Sequence, residues 1–251
     1  RQRQMCIRDR YMPIPMNIPH ILLLILLIVF AVGLSTSCSK DKESLSIPTP
    51  IVSPTDVLKD TQKSMSSVKS YKFRLSHRMG NGSKIDQSLT LVNAWGSVSR
   101  DNGISLESDL LFGNIPVSAG IVKTRDSTYL RDPLTQKWQV IPRGTNPFDF
   151  LDPDRMISSI LEGVTEPDLL SDEDGFFKIE GKISTTSFDY IFQDTVNEQV
   201  DLTVWIDSGS FVIKRAEILG KISETDPDNI IRVLEISRYN QVLEIVTPEI
   251  K

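Results

Sequence analysis

Apolar or aromatic side chains alternate with polar ones over Tyr71–Met79 (YKFRLSHRM). A period of two places every second side chain on the same face of a strand, so this segment predicts a strand with one buried face. Gly80–Ser83 then supplies residues that tolerate the backbone of a tight turn, and Ile85–Leu91 resumes the alternation. Strands joined by so short a turn are antiparallel neighbours. The body of the chain therefore begins as an antiparallel sheet.

More short strands follow, separated by turn residues such as Asp101–Gly103 and Asp207–Ser210. Their spacing predicts a meander. The further strands predicted are Trp95–Arg100, Ile104–Phe112, Val117–Lys123, Ser127–Arg131, Lys137–Ile141, Phe176–Gly181, Ser187–Phe192, Val200–Ile206, Phe211–Ile222, Ile230–Tyr239 and Val242–Val246.

Two segments with a helical period interrupt the strands. Pro54–Ser70 is the first, and Thr55 or Asp56 can cap its start. Asp152–Gly163 is the second; Asp152 is the predicted N-cap and the proline after it suits the first helical turn. Two amphipathic helices and about ten strands predict an α+β domain, in which a single strongly curved antiparallel sheet has helices on its concave face.

The segment Ile21–Leu34 is almost wholly apolar, and Ser35–Ser37 and Cys38 follow it. The run is shorter than the roughly 20 residues of a bilayer span but suits the core of a signal peptide. The small residues before Cys38 resemble a bacterial lipobox, although Ser35 stands where leucine is usual. We expect Cys38 to carry diacylglycerol and palmitate. An ordinary secretory signal and an uncleaved anchor are the alternatives.

This reading divides the chain into three parts. Residues 1–37 are the leader, in which 1–11 resemble a translation artefact and 16–37 are the signal peptide. Residues 38–53 are the lipidated cysteine and a polar, proline-punctuated linker, and residues 54–251 are the folded domain.

Charge and cysteine content exclude several classes of function. The formal net charge is −5, and −8 without residues 1–37, which carry four arginines and one aspartate. An acidic chain without a basic cluster argues against nucleic acid and against electrostatic adhesion to anionic lipid. Cys6 and Cys38 are the two cysteines, so the domain has no disulfide. We expect a monomer on the extracytoplasmic face of the cell membrane, held there through Cys38.

Catalytic motifs are absent from the sequence of the domain. His77 is its one histidine and alternates with apolar residues, which favours a role in the core. A metal site or a nucleophile–base pair needs further partners, and neither a G-x-S-x-G motif nor a phosphate-binding glycine loop is present. Asp172–Gly175 has the wrong glycine position for a calcium loop. We therefore expect no enzyme activity, no metal and no cofactor.

The concave face of the predicted sheet is the best functional lead. Two helices cover only about half of ten strands that lie about 4.8 Å apart, so the rest of this face packs on itself or encloses an apolar ligand. The candidate lining residues are Phe73, Leu75, Met79, Leu89, Leu91, Leu106, Leu110, Phe112, Trp138, Met156, Ile160, Phe188, Tyr190, Phe192, Trp205 and Ile218.

Several short motifs add a family resemblance that extends from Val57 to Pro248. They are Ser67–Phe73, Tyr129–Pro133, Gln136–Trp138, Phe150–Pro153, Val204–Asp207 and Ile245–Pro248. With the lipobox-like cysteine, they resemble the LppX/LprAFG family of actinobacterial lipoproteins and, more distantly, the LolA/LolB lipoprotein carriers. The resemblance implies a half-barrel that encloses a hydrophobic cavity, binds lipids or acylated glycolipids and carries them in the cell envelope.

Three functions are compatible with this sequence. The first is a membrane-tethered lipid carrier with helix Asp152–Gly163 or its flanking loops as a lid. The second is an envelope assembly or signalling lipoprotein with a fully packed core. The third, a hydrolase, has no motif in its favour.

Overall fold

The predicted alternation is realised in a single sheet. The computed structural model describes residues 52–85, 87–142, 152–192 and 194–250, all within one compact unit. The apolar run, Cys38 and most of the linker lie outside the described residues. So do Phe150 and Leu151 of the Phe150–Pro153 motif. Signal peptide, lipidation and domain boundaries therefore stay predictions.

Two α-helices and twelve strands are assigned among the described residues. Helix α1 spans Pro54–Ser67 and α2 spans Pro153–Gly163. A short 3-10 helix, Thr185–Phe188, follows the ninth strand. The strands are β1 Ser70–Met79, β2 Ser83–Lys84, β3 Leu89–Ser99, β4 Gly103–Phe112, β5 Ile115–Lys123, β6 Thr128–Arg131, β7 Trp138–Ile141, β8 Val164–Glu173, β9 Phe176–Ser184, β10 Gln199–Asp207, β11 Ile213–Leu219 and β12 Ile231–Ser237.

All neighbouring strands pair antiparallel, in the order β7-β6-β5-β4-β3-β1-β12-β11-β10-β9-β8, with β2 beside β3. One meander runs from β1 through β3 to β7 and a second from β8 to β12. The pairing of β1 with β12 joins them. The sheet is open, because β7 and β8 lie at its two ends. The predicted α+β class with one curved antiparallel sheet is confirmed, with twelve strands rather than about ten.

Strand register gathers the apolar side chains on one face. Phe73 on β1 lies opposite Ile236 on β12, and Val204 on β10 lies opposite Ile179 on β9. All four side chains are buried. Burying this face contributes most of the stability of such a domain, at about 25 cal/mol per Å² of apolar surface. We call it the inner face, because both helices cover it.

Two of the strand predictions are wrong because the local conformation is helical or irregular. Ser187–Phe192, predicted as a strand, contains the end of the 3-10 helix and a turn. Val242–Val246 forms no strand, and most of its side chains are exposed. In both cases apolar residues occur without a strand partner to pair with.

Two further strands differ from the prediction. Trp95–Arg100 is the second half of β3, which begins at Leu89 and passes a register shift near Asn93. Strand β8 has no counterpart among the predicted strands, because Pro167 interrupts the pattern of its sequence. Its backbone is irregular there, with a positive φ of 50° at Glu166. Such irregularities are common in edge strands, where they discourage pairing with other chains.

The two helices differ in how their first turns are capped. Ser53 occupies the N-cap of α1 without a side-chain hydrogen bond, so the predicted cap by Thr55 or Asp56 is wrong. The cap of α2 is confirmed: the Asp152 carboxylate accepts from the backbone N–H of residues 154 and 155 at 3.0 and 3.2 Å. No helix among the described residues is long and apolar enough to cross a membrane.

Candidate functional site

An apolar cavity of about 30 Å³ lies on the inner face beneath α2. Met156 and Ile160 of α2 cover it from one side, and the segment around the 3-10 helix closes another. The lining residues are Leu75, Ser83, Leu91, Met156, Ile160, Phe188, Ile191, Phe192, Ala216, Ile218, Ile222, Arg232 and Leu234.

A second apolar cavity, of about 10 Å³, lies beside the first under the start of α2. Leu75, Met156 and Leu234 line both cavities and so form the partition between them. Methionine has three rotatable bonds and adapts to irregular spaces better than branched side chains. Met156 is therefore the most adaptable part of this partition. The remaining lining of the second cavity is Phe73, Ala94, Leu106 and Pro153.

The first turn of α2 is tied to the sheet by a polar cluster around Asp154. The hydroxyl of Tyr71 on β1 donates to Asp154 Oδ1 at 2.7 Å. Arg100, just after β3, donates to both carboxylate oxygens of Asp154 at 3.1 and 3.2 Å. Burial, and then the Asp154 carboxylate, raise the pKa of Tyr71 above its ordinary value, so its hydroxyl stays a donor. We call Tyr71, Arg100 and Asp154 the latch.

Other contacts hold the exposed side of α2. The Arg155 guanidinium lies 4.0 Å from the centre of the Tyr190 ring, in a cation–π contact. Farther along the helix, Gln62 of α1 donates to Glu162 at 2.9 Å. The helix thus rests on the cavities through apolar side chains and is fastened at its margin by polar ones. Polar contacts near water are worth little individually, so these two contribute less to the docking of α2 than its buried apolar side chains do.

The wall of the larger cavity carries two polar side chains, Ser83 on β2 and Arg232 on β12. Arg232 is only 4% exposed, and its Nε donates to Ser83 Oγ at 2.7 Å. It also donates to the backbone carbonyl of Gly220 at 3.0 Å and forms a buried ion pair with Asp226. Asp226 in turn accepts from two backbone N–H groups, at 2.9 and 3.0 Å. Burial lowers the pKa of Arg232, and the Asp226 carboxylate opposes that shift.

His77 extends this polar cluster and has a defined tautomer. Its Nδ1 lies 2.8 Å from the carbonyl oxygen of Val92, and its Nε2 lies 2.8 Å from Ser83 Oγ. A carbonyl only accepts, so Nδ1 carries the proton and Nε2 accepts from the Ser83 hydroxyl. Burial lowers the pKa of His77, and the Arg232 charge does so too. His77 is therefore the neutral orienting partner of Ser83.

The structure brings many of the predicted lining residues together. Those that line one of the two cavities are Phe73, Leu75, Leu91, Leu106, Met156, Ile160, Phe188, Phe192 and Ile218. Three others contribute to the surrounding core without reaching a cavity: Leu110 is buried, and Leu89 and Tyr190 are partly buried against it. Whether any of them binds a ligand stays a prediction.

Four predicted positions need correction. Phe112 lies at the end of β4, where it is 53% exposed, and Met79 is likewise exposed at the end of β1. Trp205 lies on the outer face of the sheet, because its neighbours Val204 and Ile206 point inward and are fully buried. The centre of its ring lies 5.5 Å from the Arg215 guanidinium and 5.6 Å from Lys178 Nζ. Trp138 lies on the outer face as well.

All three tryptophans of the chain belong to one row of paired residues that crosses the outer face. Trp95 is the most exposed of them, at 41%. Alternating charged residues between them give cross-strand pairs that stabilise a sheet. The row, from β7 to β9, is Trp138, Arg131, Gly120, Glu107, Trp95, Arg74, Glu235, Arg215, Trp205 and Lys178.

Two other observations limit the chemistry of the surface. A hollow of about 460 Å³ lies along strands β9–β12, and its charged side chains Arg78, Glu180, Asp201 and Glu217 are all in ion pairs. Among the described residues, no three His, Cys, Asp or Glu side chains come close enough to hold a metal ion. The inner face under α2 is therefore the candidate site.

Sequence reasoning missed the polar wall of the cavity. Arg232 occupies the same alternating positions as Leu234 and Ile236, so a cation on the apolar face of a strand was the available signal. Ser83 belongs to a predicted turn, which does not indicate where its side chain points. Ile191 and Ile222, which also line the cavity, lie in predicted strands, but the structure has a turn at the first and a bend at the second, so a strand period does not show which way they face.

An open antiparallel half-barrel with helices over its apolar face defines the fold class. Solved structures with the same fold superpose on this chain. LprF from Mycobacterium bovis superposes with a TM-score of 0.56 at 15% identity, over 78% of this chain and 96% of that one. The Mycobacterium tuberculosis lipoprotein LppX superposes with a TM-score of 0.50 at 16% identity, over 77% and 98%. The predicted LppX/LprF-type fold is thus confirmed.

A LolA superfamily protein from Nitrosomonas europaea aligns with a TM-score of only 0.26 at 10% identity, over 77% of this chain and 96% of that one, and adds nothing to the assignment. No protein-family model and no curated protein matches the sequence.

Proposed function

We propose that the protein is a lipoprotein, anchored at the extracytoplasmic face of the cell membrane, that binds lipids or acylated glycolipids and carries them in the cell envelope. One observation carries this proposal: two adjoining apolar cavities lie beneath a helix whose polar contacts lie at its margin. The fold shared with LprF and with the lipoprotein LppX supports it.

The cavities are too small to hold a lipid while α2 is in place. Ligand pockets usually measure about 300–1,000 Å³, whereas these measure about 30 and 10 Å³. Binding therefore requires α2 to move away from the inner face, which exposes a continuous apolar surface to the acyl chains. Each methylene that leaves water then contributes about 0.8 kcal/mol. In this mechanism α2 is the lid, and the sheet is the rigid part.

The parts of the chain outside the described residues complete the proposal. Residues 16–37 would direct export, and Cys38 would carry the lipid anchor. Residues 39–53 would be the tether of the domain 54–251. Two or three acyl chains hold a protein on a membrane essentially permanently. The domain would then meet its ligand close to the membrane.

The test uses the Cys38→Ala variant, which lacks the proposed lipid anchor. Mass spectrometry of organic extracts should find co-purified lipid, and a fluorescent fatty acid should bind. Met156→Trp should reduce uptake at least 10-fold, because the larger ring on the lid takes up space that the acyl chain needs between α2 and the sheet. Val140→Trp is the matched control, since Val140 is exposed on β7; it should bind like the parent chain.

The small cavity volumes favour one alternative, an envelope assembly or signalling lipoprotein with a packed core. That protein would show no co-purified lipid and no probe uptake. Those two results together would contradict the carrier function.

A further inference from the structure

We propose that Ser83 and Arg232 form the subsite that receives an uncharged polar group of the bound lipid, such as an ester carbonyl or a hydroxyl. The inference rests on the proposed carrier function and specifies its ligand further. It starts from the lining of the larger cavity, in which these two side chains are the polar ones and the other eleven residues are apolar. An amphiphile bound here needs hydrogen-bond partners for its polar group, and Ser83 and Arg232 supply them.

The hydrogen bonds of the cluster leave capacity for a ligand. Ser83 gives its proton to His77 and accepts from Arg232 Nε, so one lone pair of its oxygen is left for a ligand hydroxyl. Arg232 has five N–H donors, and its bonds to Ser83, Gly220 and Asp226 use three of them. The other two suit a carbonyl oxygen. The subsite therefore takes both donors and acceptors.

The charge of the cluster decides which acceptor is preferred. The ion pair with Asp226 already neutralises the Arg232 guanidinium, and both side chains are almost fully buried. A carboxylate that entered this cavity would lose its hydration and meet no uncompensated positive charge. An ester carbonyl or a hydroxyl makes the same hydrogen bonds with a far smaller loss of hydration. The subsite should therefore favour esters and alcohols over ionised fatty acids.

Binding of four probes with one chain length tests this preference. Methyl hexadecanoate, hexadecanol, ionised hexadecanoic acid and hexadecane compete with a fluorescent alkane for the Cys38→Ala chain at pH 8. We expect the ester and the alcohol to bind at least 10-fold more tightly than the acid. Ser83→Ala should weaken hexadecanol about 2–10-fold, the value of one hydrogen bond, and leave hexadecane unchanged. Hexadecane is thus the control for folding of the variant.

A second variant reverses the charge argument. Asp226→Asn keeps a side chain of the same shape but leaves the Arg232 charge unopposed, so hexadecanoic acid should gain at least 10-fold relative to its methyl ester. An acid that binds the parent chain as tightly as the ester would overturn the inference, and so would equal effects of Ser83→Ala on hexadecanol and hexadecane. In both cases the carrier function would stand. If no probe, including hexadecane, binds, the carrier function falls and the subsite with it.

Discussion

Asp154→Ala should release the first turn of α2 from the sheet. The substitution removes the acceptor of the Tyr71 hydroxyl and the partner of Arg100 together. It leaves the apolar face of α2 intact, because Asp154 points away from the cavities toward β1 and the end of β3. The variant therefore tests the latch rather than the packing of the helix.

The magnitude follows from the surroundings of each partner. Tyr71 is fully buried, so a hydroxyl left without an acceptor costs about 1–3 kcal/mol. Arg100 and Asp154 are 40% and 36% exposed, so their ion pair adds at most about 1 kcal/mol. An acidic residue in the first turn of a helix contributes about 0.3–1 kcal/mol. Asp154→Ala should therefore lower the free energy of unfolding by about 2–4 kcal/mol.

A double-mutant cycle with Tyr71→Phe isolates the hydrogen bond. Removing the hydroxyl takes away the group that Asp154→Ala strands, so the effects should not add, and the coupling should be about 1.5–3 kcal/mol. Urea unfolding of the four proteins measures it. Glu162→Ala is the control on the same helix: it removes the contact with Gln62 and should be additive with Tyr71→Phe.

Hydrogen exchange and probe uptake connect the latch to function. In Asp154→Ala the amides of α2 should exchange faster, while those of β10 keep their protection, and fluorescent fatty acid should enter faster. Additive energies for Tyr71→Phe and Asp154→Ala, or unchanged exchange in α2, would refute the latch. Faster exchange in α2 and β10 alike would mean that the helix does not move independently of the sheet.

Three further predictions test other parts of the chain. Burial lowers the pKa of His77, so below pH about 6.5 the unfolded chain binds a proton that the folded chain does not. The free energy of unfolding should therefore fall with pH, by up to about 1.4 kcal/mol per pH unit. In urea titrations from pH 7.5 to 5, His77→Gln should lose that part of the slope. Trp205→Ala should cost about 1–3 kcal/mol in urea unfolding, through lost cross-strand and cation–π contacts, yet leave probe binding unchanged; weaker binding at full stability would contradict its place on the outer face. Cys38→Ala should move the protein from the membrane to the soluble fraction, and its retention in membranes would argue against lipidation.

Local signals predicted the strands best where one face of the strand is polar. Tyr71–Met79 has one such face, and its apolar positions are the buried ones through Leu75. In Val200–Ile206 the alternation puts Trp205 on the same face as Asp201 and Thr203. The sequence therefore held a signal against Trp205 as a lining residue, which its size and hydrophobicity obscured. Strand β8 shows the opposite difficulty, since Pro167 interrupts a pattern that pairing with β9 nevertheless completes.

Period, turn chemistry and hydrophobicity within a few residues were enough to predict the class of the fold, the cap of α2 and most of the apolar side chains beneath it. The polar wall of the cavity and the latch form only in the folded chain. Ser83 and Arg232 are 149 positions apart, and Tyr71 and Asp154 are 83 apart. They meet because β1 pairs with β12 and α2 returns across the inner face. That pairing depends on the burial of the whole face, which no local pattern encodes.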